Sequence, residues 1–287
     1  MSRNTDNNWK SMETQVDKNC NPAFCKEQQP ESLFTEITTV ESGVKKLLEL
    51  STYSQTKLIR LIQELIVKLE SNNIITACYN HNIKSYDSSV RKVKNSYGRP
   101  NQIRQLTDVY RASIILSTQN DIKIAIELIT ELFSKYNFEV VYFKNTFEKP
   151  WDDGYCDINY KLQDIKNQML IGELQINLYS IHKFTQDIGH KSYEIIREIT
   201  DTKEKTIIKT YMNKLIKYGY DKAISVTNTE CIEEFIIKFT EDMCNKAEEI
   251  INEITDTNEK TIIKTYMNKL NLNTISIKSL TTENSRK

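Results

Sequence analysis

Apolar residues recur at three- and four-residue intervals in two stretches of the chain. The first stretch, residues 41–69, carries Val44, Leu47, Leu48, Leu58, Leu61, Ile62, Leu65 and Leu69. The second, residues 120–136, carries Ile122, Ala125, Ile126, Ile129, Leu132 and Phe133. This spacing places the apolar side chains on one face of a helix. We expect one or two amphipathic helices in 41–69, with a break near 51–54, and one helix over 120–136.

Four other stretches are typical of strands, because they alternate or contain runs of β-branched and aromatic residues. They are residues 107–116, 138–143, 155–162 and 168–178. The first two lie on either side of the helix at 120–136, which suggests a βαβ-like unit. The last two are joined by the polar turn 164–167, as in a hairpin. The pattern therefore predicts strands and helices within one domain.

Polar side chains in these strands are candidates for a site. In the strand 168–178, Glu173, Gln175 and Asn177 would share one face, because successive side chains alternate between the two faces. A strand with one face on the surface would show the same alternation. Asp108 and Arg111 lie near the start of the strand 107–116. An aspartate there can bind a divalent cation or pair with an arginine, and the spacing favours the pairing.

A basic segment precedes the first of these strands. Lys84, Ser88, Arg91 and Lys92 fall near one face if this segment is helical. Ammonium, guanidinium and hydroxyl groups on one face suit a polyphosphate, because they donate charge-assisted hydrogen bonds to its oxygens. A solvated basic face has the same composition, since most lysines and arginines are exposed.

The two ends of the chain differ from its middle. Residues 1–40 are polar and are interpreted as a disordered tail, and residues 41–200 as the main domain with its leading helices. Residues 201–287 are interpreted as a helical extension. Residues 194–215 recur at 249–270, and only Arg197/Asn252 and Lys203/Asn258 differ between the copies. Asp201-x-x-Glu204 and Asp256-x-x-Glu259 predict capping boxes that begin a helix in each copy. The extension is a candidate surface for homo-oligomerisation.

Composition narrows the class of protein. The 39 basic and 39 acidic residues cancel, so the net charge gives no support for a strongly electrostatic partner. The six cysteines show no metal-ligand spacing, which argues against a structural zinc site and is typical of a reducing compartment. No segment approaches the roughly 20 consecutive apolar residues of a membrane span. We therefore expect a cytoplasmic protein without membrane contact.

Three of the six glycines fall between residues 154 and 189, and each opens a motif. The motifs are Gly154-Tyr155-x-Asp157-Ile158-Asn159, Gly172-Glu173-Leu174-Gln175-Ile176 and Gly189-His190-Lys191-Ser192-Tyr193-Glu194. Upstream are Lys84-x-x-x-Ser88-x-x-Arg91-Lys92, Asp108-x-x-Arg111-Ala112-Ser113-Ile114 and Lys144-Asn145-x-Phe147. Together, in this order, they resemble the RelA/SpoT nucleotidyltransferase-like family, particularly its small forms, over residues 84–197. The combination is more specific than any single motif.

The resemblance implies an α+β fold, with a mixed sheet of about five strands flanked by helices, and transfer of pyrophosphate from ATP to the 3′-hydroxyl of a guanosine nucleotide. Asp108 and Glu173 would hold Mg²⁺, Glu173 would also orient or deprotonate the hydroxyl, and Tyr155 would stack on the acceptor base. The implied substrate-binding residues are Lys84, Ser88, Arg91, Lys92, Arg111, Lys144, Asn159, Gln175 and His190.

This sequence departs from the family pattern at Asn82 and Ser113, where the synthetases typically carry arginine, and at Asn159, where they carry histidine. Two alternatives therefore stay open. The acceptor can be tRNA or an adenosine nucleotide, as in toxin members of the family. The domain can also be a degenerate one that binds nucleotide without turnover, or a helical interaction protein.

Overall fold

The structure, a computed structural model, describes residues 28–97, 100–224 and 232–270. Within these limits the chain forms two compact units. The described residues of the first unit lie within Met1–Phe147 and Asp157–Asn177, and those of the second lie within Glu148–Cys156 and Leu178–Lys287. The domain boundaries expected from the sequence stay predictions.

The first unit contains a five-stranded sheet. Its strands are β1 (Thr76–Ile83), β2 (Tyr110–Leu116), β3 (Phe138–Asn145), β4 (Ile158–Asp164) and β5 (Leu170–Leu178), whose last residue is assigned to the second unit. Their order in the sheet is β1-β2-β5-β4-β3. The pairs β1/β2, β3/β4 and β4/β5 are antiparallel. The α+β class with a mixed, five-stranded sheet is confirmed.

Three helices of the first unit are α1 (Val40–Ser71), α2 (Tyr86–Lys92) and α3 (Gln119–Lys135). Helix α1 contacts β1 and β2, and α3 contacts β2 and β3. The apolar face of the strands is buried against them, and Phe133 of α3 packs edge-on against Tyr160 of β4, with ring centroids 5.2 Å apart. The helices therefore cover one face of the sheet and leave the polar face to the other side.

The expected break in α1 does not occur, and the helix runs through residues 51–54. Ser51 donates its hydroxyl to Leu47 O across 2.7 Å, and Ser54 donates to Asp164 Oδ2 across 2.9 Å. Both serines thus have partners without interrupting the helix. The N-cap is Thr39, whose side chain accepts from Ser42 N. Helix α3 lies where the spacing predicts it, and its N-cap is Thr118, whose side chain accepts from Asp121 N.

Strand β1 was not predicted as a strand. Its second half, Asn80-His81-Asn82, is polar and exposed because β1 lies at the edge of the sheet, so it shows no apolar alternation. The tail expected over 1–40 lies outside the described residues up to position 27. From residue 28 on the chain is folded, since Gln29 is fully buried and bonds to Leu106 O, Ile171 O and Ile171 N.

Apart from the loop Glu148–Cys156 and Leu178, the last residue of β5, the second unit is mainly helical over the residues described. It contains α4 (Tyr179–Phe184), a π-helical turn over Thr185–Gly189, α5 (His190–Glu198), α6 (Thr202–Ile224), α7 (Ile232–Glu253) and α8 (Thr257–Leu270). The N-cap half of both predicted capping boxes is present, because Asp201 Oδ1 accepts from Glu204 N and Asp256 Oδ1 accepts from Glu259 N. Residues 225–231 and 271–287 of the expected helical extension lie outside the described residues. No helix among those described is long and apolar enough to cross a membrane.

Candidate active site

A buried carboxylate with two lysines forms the first part of the candidate site. Asp108, just before β2, is 7% exposed, and its Oδ2 atom accepts from Lys84 Nζ at 2.7 Å and from Lys92 Nζ at 2.9 Å. The backbone N–H of Lys84, directly after β1, donates to Val109 O, and Ser85 caps α2, whose last residue is Lys92. The edge strand and a seven-residue helix therefore deliver one lysine each to the carboxylate.

The charge of Asp108 is stabilised by this arrangement. Burial by itself raises the pKa of the carboxyl group, but the positive charges and hydrogen bonds of Lys92 and Lys84 outweigh burial and lower the pKa to about 2. The group is therefore ionised at neutral pH. Its second oxygen, Oδ1, is buried and has no hydrogen-bond partner among the described residues. An ionised, buried oxygen without a donor suits a hard cation such as Mg²⁺, which prefers carboxylate ligands.

The remaining residues of the predicted basic face lie on α2. Ser88 is half-buried and its backbone N–H donates to Ser85 Oγ, and Arg91 is exposed. The expected helix is thus present, and Lys84 precedes it. Among the four predicted basic-face residues, the structure brings Lys84 and Lys92 onto Asp108.

The second part of the site is the polar face of the sheet. Glu173 of β5 lies opposite Lys161 of β4, and their side chains form an ion pair in which both are mostly buried. One step along, Gln175 lies opposite Asn159, which in turn lies opposite Lys144 of β3. Paired residues on adjacent strands project from the same face. Glu173, Gln175, Asn159 and Lys144 therefore share one surface, as the sequence suggested for Glu173 and Gln175.

Asn159 is distinctive within this row. Its Oδ1 atom is buried and has no hydrogen-bond partner among the described residues. A buried acceptor without a donor costs free energy, and it is a feature of binding sites whose ligand supplies the donor.

Arg111 extends the polar face onto β2. A Cβ atom placed on Gly172 would lie 2.2 Å from the ring of Tyr110, so Gly172 and Tyr110 face the same side of the sheet. The next residue on each strand, Arg111 and Glu173, then faces the other side. Arg111 Nε donates to Asn82 Oδ1 across 2.7 Å. Arg111 is therefore held by Asn82, one of the two positions where arginine is typical of the family.

Two further residues on or beside this face were not predicted as site residues. Lys161 pairs with Glu173, and its alternation with Asn159 and Gln163 along β4 was the signal that could have identified it. Asp157, which is 3% exposed, accepts from Gln175 Nε2 at 3.2 Å and from Thr146 Oγ1 at 3.1 Å. Asp157 belongs to the motif Gly154-Tyr155-x-Asp157-Ile158-Asn159, but it was not predicted to have a role of its own.

Tyr155 and His190 belong to the second unit. Gly154 has a positive φ of 89°, and a Cβ atom there would lie 3.0 Å from Tyr220 Cβ, so the turn before Tyr155 requires glycine. The ring of Tyr155 packs edge-on against Tyr220, with centroids 5.6 Å apart. His190 is exposed at the start of α5.

The second unit also contains an open cavity of about 660 Å³ that the sequence did not reveal. Its lining includes the aromatic side chains of Trp151 and Tyr193 and the cationic side chains of Arg197, Lys205 and Lys209, together with Asp152 and Asp153. Aromatic faces and cations can accept a planar, anionic ligand.

Three solved structures are similar to this chain. Small alarmone synthetase 1 from Bacillus subtilis, bound to its product pppGpp, matches with a TM-score of 0.51 and 14% identity over 62% of this chain and 90% of that one. Small alarmone synthetase 2 from Bacillus subtilis matches with a TM-score of 0.49 and 16% identity over 62% and 91%. A GTP pyrophosphokinase family protein from Streptococcus pneumoniae matches with a TM-score of 0.48 and 11% identity over 64% and 92%.

The chain has the fold of a small alarmone synthetase. The first of these matches establishes this, and the resemblance noted in the sequence is confirmed at the level of the fold. No family model matches the sequence. No curated protein matches it either. At this identity the likeness concerns the backbone, so activity has to be argued from the site.

The described residues contain no group of three or more His, Cys, Asp or Glu side chains arranged to hold a metal ion. Asp108 and Glu173 are thus carboxylates that could supply only part of a coordination shell. Mg²⁺ sites in phosphate-transfer enzymes commonly use one or two carboxylates and complete the shell with water and substrate phosphates. The donor set is therefore compatible with Mg²⁺ bound together with a nucleotide.

Proposed function

We propose that the protein is a Mg²⁺-dependent nucleotide pyrophosphokinase, with ATP as donor and a guanosine nucleotide as acceptor. The acceptor 3′-oxygen forms a bond to the β-phosphorus of ATP, the bond from that phosphorus to the α–β bridging oxygen breaks, and AMP leaves. The proton of the 3′-hydroxyl passes to a base. The observation that carries the proposal is the carboxylate of Asp108, with one oxygen held by Lys84 and Lys92 and the other buried without a partner.

The charges around Asp108 support the donor half of the proposal. Lys84 and Lys92 place two positive charges on one carboxylate, so this cluster carries a net charge of about +1 before any ligand binds. The phosphates of ATP would engage these ammonium groups by charge-assisted hydrogen bonds. Arg91 and Ser88 on α2 and Lys144 on β3 are the further phosphate-binding groups in the proposal.

Mg²⁺ would be held by Asp108 and Glu173, and it would neutralise charge that develops on the transferring phosphates. The buried Oδ1 atom of Asp108 has no hydrogen-bond partner among the described residues, and the metal ion would supply the positive charge that this oxygen lacks. Glu173 also serves as the group that orients the acceptor hydroxyl and takes its proton.

The polar face of β4 and β5 supports the acceptor half. Asn159 and Gln175 present amide groups beside Glu173, and the buried Oδ1 atom of Asn159 can accept a hydrogen bond from the acceptor. Arg111 is assigned to acceptor binding on this face, and the roles of Tyr155, stacking on the base, and His190 stay predictions from the resemblance. Asn82, Ser113 and Asn159 alter the family pattern on or beside this surface, so the choice of acceptor is the part of the proposal that most needs measurement.

The test is an acceptor screen with ATP labelled on its β- or γ-phosphate and with Mg²⁺. GDP, GTP, ADP, ATP and tRNA are offered separately, and the labelled product is identified by chromatography. Asp108→Asn and Glu173→Gln should each lower the rate by a factor on the order of 100 or more, since each removes a charged ligand or base. Both variants should keep the fold, because each replacement nearly preserves the size of the side chain.

Asp164→Asn is the matched control. Asp164 is also a buried carboxylate with a lysine partner, Lys57, but it lies against α1 on the apolar side of the sheet. If Asp164→Asn lowers the rate as much as Asp108→Asn does, the loss reflects stability and the assigned roles are wrong. Product formation on tRNA or an adenosine nucleotide alone would keep the chemistry and replace the guanosine acceptor.

A second candidate function is nucleotide binding without turnover. It is favoured by one observation: both proposed metal ligands, Asp108 and Glu173, are paired with lysines. A site in which these pairs persist would bind phosphates without binding the metal. Calorimetry that shows ATP binding with the same affinity with and without Mg²⁺, together with no product on any acceptor, would support this candidate over the first.

A further inference from the structure

The duplicated segment folds into two equivalent helical hairpins. In the first copy the end of α5 leads through Asp201 into α6, and in the second the end of α7 leads through Asp256 into α8. Both aspartates accept from the backbone N–H three residues on, across 2.7 Å and 2.8 Å. The repeated sequence has therefore retained a repeated structure, including its caps.

The two copies bury the same side chains. Each copy has four equivalent apolar residues that are at most 6% exposed. These pairs are Ile199 and Ile254, Ile208 and Ile263, Met212 and Met267, and Leu215 and Leu270. On α6 and α8 the last three residues recur at four and three positions, which forms one stripe along each helix. The two helices contact one another, and each of them buries the same apolar stripe.

The polar contacts across this interface are reciprocal. The hydroxyl of Tyr211 in the first copy contacts Glu259 Oε2 in the second at 3.4 Å. The equivalent residues in the opposite direction are also neighbours, because burial and the nearby Glu204 carboxylate of the first copy raise the pKa of Tyr266 in the second. The neighbouring helices repeat the relation, with α5 against α8 and α7 against α6.

Reciprocity of this kind defines a self-complementary interface. In a symmetric dimer, a residue i of one subunit contacts j of the other, and j contacts i in return. Tyr211 and Glu259 with Tyr266 and Glu204 satisfy this rule within one chain. A packing of two copies related by a twofold axis explains it, whereas an arbitrary packing of two similar hairpins would not pair the same positions both ways.

We infer that the duplicated hairpin is a self-association element, and that its second copy occupies, within the same chain, the surface by which the first copy would bind another chain. The partner that this surface fits is therefore a second copy of the same hairpin. The surface that would mediate the expected homo-oligomerisation is thus occupied within each chain by the α6–α8 interface. It becomes exposed to another chain when one hairpin is detached.

The test measures the mass of the full chain by light scattering during gel filtration. Met267→Glu places a charge in the buried stripe of α8 and should detach it, leaving the matching stripe of α6 open to the α6 of another chain. The expected result is a mass twice that of the unsubstituted chain. Adding Met212→Glu to the same chain removes the stripe of α6 as well and should return the mass to the original value.

Lys264→Glu is the matched control, because Lys264 is exposed on the same helix and its substitution should leave the mass unchanged. Ile263→Asp, also in the buried stripe, repeats the test at a second position. A discrete doubling in either stripe variant supports the inference, since a symmetric interface closes at two copies. An unchanged mass, or aggregates of no fixed size, in both variants would overturn it, as would a doubling that survives Met212→Glu.

Discussion

Lys84 Nζ lies 2.7 Å from Asp108 Oδ2, and this contact joins the end of the edge strand to the start of β2. Lys92 reaches the same oxygen from α2, so one carboxylate oxygen holds together three segments of the chain. The other oxygen, Oδ1, faces no donor among the described residues. The two oxygens of Asp108 thus have different environments, one that anchors cationic side chains and one that is suited to a metal ion.

The Asp108 cluster predicts a specific dependence of stability on pH. Because the folded pKa is about 2 and the usual value is 3.8, the ionised group stabilises the fold above pH 4. That contribution, about 2 kcal/mol for a shift of this size, is lost as the pH falls towards the folded pKa. Urea unfolding from pH 5 downward should therefore show a steeper loss of stability in the unsubstituted chain than in Asp108→Asn. Parallel curves would mean that the two lysines do not hold the carboxylate.

The ion pair between Lys161 and Glu173 joins the adjacent strands β4 and β5 on the polar face, so it should contribute to stability. A cross-strand pair of opposite charges contributes about 0.2–1 kcal/mol, and partial burial favours the upper end of that range. Lys161→Met, Glu173→Gln and the double variant form a thermodynamic cycle. We expect a coupling free energy of unfolding near 1 kcal/mol, with turnover lost in Glu173→Gln and retained in part in Lys161→Met. Equal losses of turnover in the two single variants would place Glu173 in a structural role only.

Much of the fold follows from local pattern. The stripe on α3 and the strands β2 to β5 lie where spacing predicts them, because burial on one face imposes the period of each element. The aspartate caps of α6 and α8 also lie where the sequence predicts them. Strand β1 could not be predicted from the pattern, since its exposed edge position imposes no such period. The continuity of α1 also could not be read locally, because Asp164, a partner of Ser54, is distant in sequence.

The candidate site also has features that the local sequence pattern predicts and others that it does not. Glu173 and Gln175 could be placed on one face from alternation alone. The pairing of Asp108 was expected with an arginine, but the structure pairs it with Lys84 and Lys92, and Arg111 bonds Asn82 instead. Spacing along one strand cannot show which neighbouring element supplies a partner. The reciprocal contacts of the duplicated hairpins likewise cannot be predicted from the sequence, because they join residues that are distant along the chain.

Removal of the Asn159 side chain should affect acceptor binding much more than the stability of the fold. Its buried Oδ1 atom has no partner among the described residues, so Asn159→Ala removes a group whose desolvation is uncompensated. We expect the free energy of unfolding to change by less than about 1 kcal/mol, while acceptor binding weakens about tenfold, the equivalent of one lost hydrogen bond. Urea unfolding and calorimetry with the acceptor measure the two effects.

Tyr160→Phe is the companion variant, because the hydroxyl of Tyr160 is also buried without a partner among the described residues but belongs to the apolar side of the sheet. It should leave acceptor binding unchanged and should not destabilise the fold. A loss of acceptor binding as large as in Asn159→Ala would show that the effect is not specific to the polar face.

Any side chain at position 154 should lower the stability of the second unit. The residue has a φ of 89°, and an added Cβ atom would lie 3.0 Å from Tyr220 Cβ and 3.3 Å from Lys217 Cα. Gly154→Ala should therefore destabilise the second unit by about 1–3 kcal/mol, from backbone strain and crowding together. Thermal unfolding followed by circular dichroism measures the loss. Gly189→Ala, with a negative φ and 3.1 Å to the Tyr220 hydroxyl, should cost less.

The measurement that tests the central claim most directly is transfer of labelled pyrophosphate from ATP to a nucleotide by the purified chain, compared among the unsubstituted protein, Asp108→Asn, Glu173→Gln and Asp164→Asn. We predict a Mg²⁺-dependent product on a guanosine nucleotide, with AMP released in equal amount, abolished in the first two variants and retained in the third. No product with any acceptor, or a product whose rate is unchanged in both Asp108→Asn and Glu173→Gln, would contradict the claim.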